Sequence, residues 1–63
     1  MTYNTPLDAA TAVWVETLDD DAREFFEERA GIAEFDGGMS RLDAEQLAKA
    51  LTEAYLERRE NHA

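Results

Sequence analysis

Between Asp19 and Asp36 eight carboxylates stand against two arginines, yet apolar residues recur through the same stretch at helical intervals. The acids are Asp19, Asp20, Asp21, Glu24, Glu27, Glu28, Glu34 and Asp36; the bases are Arg23 and Arg29. A charge run of this density stays unfolded when nothing apolar accompanies it, because repulsion acts and no burial offsets the ordering entropy. Phe25, Phe26, Ala30, Ile32 and Phe35 supply that burial. An amphipathic helix separates the two sets, with Ala22, Phe25, Phe26, Arg29, Ala30 and Ala33 on one side and Asp20, Glu24, Glu27 and Glu28 on the other. The acids are therefore expected outward, on a folded surface that faces something basic.

With 63 residues and no cysteine, the chain is expected to form a single helical domain, 1–63, with loose ends at about 1–5 and 60–63. A core of that size is marginal, and no disulfide or thiolate-bound zinc can reinforce it. Cysteine usage gives no sign of an oxidising compartment, so a cytoplasmic location is the expectation. Met1 to Pro6 has neither a basic stretch nor an apolar run. The chain thus reads as soluble and complete, without signal peptide or membrane span. Its net charge of −9 opposes direct contact with nucleic acid or anionic membranes and favours a partner with a positive surface. The same acidity would also serve solubility alone.

The pattern predicts an all-α protein, a small bundle of about three helices. Each helix start carries a hydroxyl residue followed three positions later by aspartate: Thr5 with Asp8, Thr17 with Asp20, and Ser40 with Asp43. These are short-acid versions of the capping box. Pro6 falls where a first helical residue is expected. Leu7, Ala10, Thr11, Trp14 and Leu18 draw the first apolar stripe, although Val13 to Val15 also suits a short strand. Gly31 is expected to fray the second helix or to admit a close neighbour. Gly37 and Gly38 are expected to end it.

The third segment, from about Arg41 to Arg59, places Leu47, Ala50, Leu51, Ala54 and Tyr55 on one face, with Glu45, Lys49, Glu53 and Glu57 outside. Glu45 and Lys49 have the spacing of an ion pair, and Arg58 and Arg59 suit the helix dipole. The expected core is Trp14, Leu18, Phe25, Phe26, Ile32, Leu47, Leu51 and Tyr55.

Catalytic and metal chemistry find little to work with. Asp19 and Asp21 begin the alternation of a calcium loop, but Arg23 follows and no glycine sits at the required place. His62 stands one residue from the end with no nucleophile to serve. No enzyme, cofactor or metal site is expected. Spacing offers more: Asp20, Asp21, Glu24, Glu27 and Glu28 fall within about 12 Å of helix, about 2.4 Å per charge, against about 1.7 Å of axis per charge in duplex DNA and about 3.4 Å along one strand.

The segment from Glu28 to Glu45, ERAGIAEFDGGMSRLDAE, resembles one that recurs in proteins of phages, plasmids and other mobile elements, including the ends of some primases and integrases. In size, acidity and absence of cysteine the chain is similar to anti-CRISPR proteins of the DNA-mimic type. That resemblance implies a phage inhibitor whose partner is a basic nucleic-acid-binding host protein, such as the DNA-reading subunit of a type I CRISPR surveillance complex. The eight acids from Asp19 to Asp36 would then form the partner-binding surface. The alternative is a small helical adaptor or homo-oligomerisation module, monomer or homodimer, associated with a mobile-element replication protein. Met39, Leu42, Phe35 and Leu56, which strain the capacity of one small core, favour it.

Overall fold

The computed structural model describes residues 6–61, which form three helices and no strand. They are α1 (Ala9–Glu16), α2 (Asp20–Phe35) and α3 (Arg41–Asn61). The all-α expectation holds, and Val13 to Val15 lie inside α1 rather than in a strand. The expected loose end at 60–63 is corrected in part, because α3 runs on to Asn61. Residues 1–5 and His62 lie outside the described residues, as does the expected cap at Thr5.

Two of the three starts use aspartate as the cap itself. Asp8 accepts from the Thr11 amide at 2.9 Å, and Asp19 from the Ala22 amide at 2.9 Å. Thr17 instead closes α1, its hydroxyl donating to the Trp14 carbonyl. Carboxylates accept from first-turn amides as well as hydroxyls do, and add a favourable charge at the positive end of the helix. Ser40 caps as expected, accepting from the Asp43 amide. Pro6 precedes α1 rather than opening it.

The stop after α2 depends on both glycines. Gly37 and Met39 donate to the Ile32 and Ala33 carbonyls, each at 3.1 Å. A Cβ on Gly37 would come within 2.7 Å of the Ala33 oxygen, and Gly38 has φ +67°. The chain reverses there, so α2 and α3 run antiparallel, and Arg59 near the end of α3 reaches Asp19 at the start of α2. Gly31, by contrast, neither frays the helix nor admits a neighbour: α2 continues to Phe35, and nothing lies within 4 Å of a Cβ built there.

Phe26, 0% exposed, is the largest apolar side chain fully buried, and the residues around it are small. Ala22, Ala30 and Ala48 pack with it, joined by Val15 and Leu18, while Ala33 and Ala44 are also buried. Trp14 meets the Phe26 ring edge-on at 5.8 Å, which holds α1 against one side of the α2–α3 hairpin. Lys49 lies over the Trp14 ring instead of pairing with Glu45. Leu7 and Ala10, expected on the inner stripe of α1, are exposed, and Val15 is buried in their place.

The largest departure from the sequence reading is the rotation of α3. Its buried face is Ala44, Glu45, Ala48 and Thr52, with Tyr55 and Leu56 half-buried. Leu47 and Leu51 are 42% and 40% exposed, Ile32 on α2 is 43% exposed, and Ala50 and Ala54 also face out. Alanines let the two helix backbones approach closely enough for Phe26 to fill the interval; leucines at the same contact would hold them apart. Glu45, expected outside, is 1% exposed because its carboxylate accepts the Leu7 amide at 2.9 and 3.1 Å and Arg41 Nε at 3.3 Å. Thr52 satisfies its buried hydroxyl on the Ala48 carbonyl.

Phe26→Ala should remove about 3–5 kcal/mol, comparable with the whole stability of about 3–9 kcal/mol expected for a chain of this length. Its circular dichroism should show loss of cooperative helix at room temperature. Gly31→Ala should act oppositely, adding about 0.5–1 kcal/mol and raising the melting temperature by several degrees in the same experiment.

Candidate functional site

Helix α2 turns about 100° per residue, which sets Glu27, Asp20, Glu24, Glu28 and Asp21 side by side over about 120° of its circumference. Ala22, Phe26, Ala30 and Ala33 are buried on the opposite side. The five carboxylates therefore share one outer face because the four apolar positions are held against α3. Asp20, Asp21, Glu24 and Glu28 are exposed and Glu27 is half-buried.

The other three acids are placed differently. Half-buried Glu34 lies near the far end of α2, just beside the arc. Asp36 is the exposed cap residue that closes the helix. Asp19 is engaged twice within the fold, capping α2 and accepting from Arg59 Nη2 at 2.7 Å. Glu28 pairs with neighbouring Arg29 at 3.3 Å, an exposed contact of the kind that contributes little. Among the described residues no basic group lies within ion-pair distance of Asp20, Asp21, Glu24, Glu27, Glu34 or Asp36.

A shallow cleft of about 190 Å³ opens beside this arc, lined by Asp21, Glu24, Phe25, Glu28 and Tyr55. Its floor is formed by the Phe25 and Tyr55 rings, which stack at 4.6 Å and 13°. Arg29 lies over the Phe25 ring and Arg59 over the Tyr55 ring, so each ring already has a cation of this chain against it. Tyr55 was not among the residues expected at the site. An aromatic on one helix and acids on another announce no shared cleft in sequence; the antiparallel register of α2 and α3 creates it. Three carboxylates around this cleft suit an arginine or lysine side chain, which gains from charge-assisted hydrogen bonds.

Among the described residues no three acids, histidines or cysteines are arranged to hold a metal ion, and no helix is long and apolar enough to cross a membrane. No protein-family model, curated protein or solved structure matches the chain.

Two carboxyls are held below the ordinary 3.8: Asp8 by the Thr11 amide and then its hydroxyl, and Asp19 by Arg59 and then the Ala22 amide. Both bind protons less readily folded than unfolded. Their contribution to stability is fully present above 3.8 and is lost as the pH falls below that value. Thermal melts recorded on acidification should decline in that range, and Asp19→Asn should flatten the dependence while lowering the melting temperature at neutral pH.

Proposed function

We propose that this chain is an acidic inhibitor that binds a basic nucleic-acid-binding surface by DNA mimicry, the outer arc of α2 standing in for phosphates. The observation that supports the reading is the set of carboxylates at Asp20, Asp21, Glu24 and Glu27, on the outer side of one helix and, among the described residues, with no basic group within ion-pair distance. A row of fixed charges held by a folded scaffold binds without the ordering cost that a disordered acidic tail incurs. Asp19 contributes through the helix start it caps, and Glu34 and Asp36 extend the negative field beyond the arc. The cleft at Phe25 and Tyr55 supplies a place for one arginine or lysine of the partner.

The partner is a basic host protein that reads nucleic acid. The resemblance to anti-CRISPR proteins makes the DNA-recognising part of a type I surveillance complex the first candidate, with the inhibitor acting in the bacterial cytoplasm and catalysing nothing. A second reading, a helical adaptor or oligomerisation module associated with a mobile-element replication protein, draws on the exposure of Ile32, Leu47 and Leu51.

Binding to such a partner should weaken steeply as salt rises, because exposed charges are screened. Combining Glu24→Lys, Glu27→Lys and Glu28→Lys should cost about 1 kcal/mol or more per reversal, hence about a hundredfold or more in affinity, while the circular dichroism spectrum stays helical. Calorimetric titration into the purified complex checks both. Unchanged affinity in the triple variant rules the mimicry reading out.

A further inference from the structure

The outer face of α3 carries a pattern that is complementary to itself when reversed. Asp43, Leu47, Ala50, Leu51, Ala54 and Arg58 fall on one stripe about 100° wide, at successive intervals of four, three, one, three and four residues. The spacing is the same read from either end, about a centre between Ala50 and Leu51. Reversal also exchanges unlike for unlike: Asp43 falls opposite Arg58, Leu47 opposite Ala54, and Ala50 opposite Leu51. Each large side chain meets a small one, and each end charge meets its opposite.

We infer that this stripe is a two-fold interface, in which α3 of one copy packs antiparallel on α3 of a second copy of the chain. A two-fold contact requires a patch in which residue i meets residue j while j meets i, and the stripe meets that condition at all six positions. Leucine against alanine lets the helices approach closely and interdigitate. The stripe has one acid and one base, so a basic partner gains nothing from it that a second copy does not.

The face is open in the monomer. Leu47 and Leu51 are among the exposed large apolar residues, and Asp43, Ala50, Ala54 and Arg58 are exposed too. Helix α1 packs on the opposite flank of α3, where Lys49 covers Trp14 and Glu45 receives the Leu7 amide. Phe25 borders the stripe from α2, since its ring stacks on Tyr55 at that edge. Repulsion between two chains of charge −9 is the main opposing term. Asp20 and Glu27, however, do not line the cleft that Asp21, Glu24 and Glu28 share with Tyr55 of α3, and charges are screened over about 8 Å at physiological ionic strength. This inference is independent of DNA mimicry: the acids stay outward in the pair, whatever they bind.

Sedimentation equilibrium of the full chain over a concentration series tests the pairing directly. The expected result is a species of twice 7.1 kDa at the upper end of the series. Leu51→Glu should leave only the single-chain mass. Asp43→Arg and Arg58→Asp should each raise the dissociation constant by about tenfold, whereas the chain carrying both reversals should recover the parent value. Recovery in the double variant excludes misfolding as the cause of either single loss. Asp43→Arg also makes the chain less negative than the parent −9, so general repulsion predicts the opposite change for that variant. A single-chain mass throughout the series overturns the inference. So does a dimer that is indifferent to Leu51→Glu, or one that the double reversal fails to restore.

Discussion

The contact between α2 and α3 is made by alanines, and the rest of the molecule follows from that choice. Ala22, Ala30 and Ala33 on one helix and Ala44 and Ala48 on the other leave room for one large residue, Phe26, at the centre of the hairpin. Close approach concentrates dispersion contacts around that ring without requiring the apolar volume that a chain of 63 residues cannot spare. Trp14 then closes the one open side by edge-to-face packing, so a helix of eight residues suffices for α1.

A small interface of this sort changes what the outside of the protein must carry. Helices in contact through alanine bury a narrow strip, and every leucine or isoleucine away from that strip stays in water. Leu47, Leu51 and Ile32 are exposed for this reason. Inward polar groups are afforded only where each is satisfied: Thr52 on a carbonyl within its own helix, Glu45 on the Leu7 amide and Arg41. Glu45 also ties the segment before α1 to the N-terminal part of α3, a connection between residues 38 positions apart that no periodicity announces.

How legible the chain was depended on whether large and small apolar residues competed for the same contact. In α2 they did so only at its edge: the helix and the burial of Ala22, Phe26, Ala30 and Ala33 could be read from the spacing, whereas Ile32, expected in the core, is exposed and Phe25 is half-buried. The Asp-Gly-Gly stop was legible too, because positive φ and close backbone approach both demand glycine. In α3 two apolar stripes lie on different sides, one of leucine with alanine and one of alanine with threonine. Reading by hydrophobicity selects the leucines; packing against Phe26 selects the alanines. Helix starts failed for a different reason, since aspartate and the hydroxyl residues can each fill the cap, and only tertiary contact decides. Asp19 shows the limit at the acidic surface, because its partner Arg59 lies 40 residues away.

The acidic arc and the leucine stripe thus have one origin in the packing but differ in what they ask of a partner. An arc of like charges repels its own copy and attracts a basic surface at long range, so it governs encounter. A stripe of balanced charge and alternating size has no long-range field and depends on close fit, so it governs persistence once two surfaces meet. Because the arc is carried by α2 and the stripe by α3, the two surfaces share no residue. Pairing through α3 would set two acidic arcs on one particle, and a basic groove that reads a nucleic acid over more than one helix turn could engage both arcs at once. The second contact would then be intramolecular and its strength set by geometry rather than by concentration, which lets a chain with so small a core hold a much larger partner.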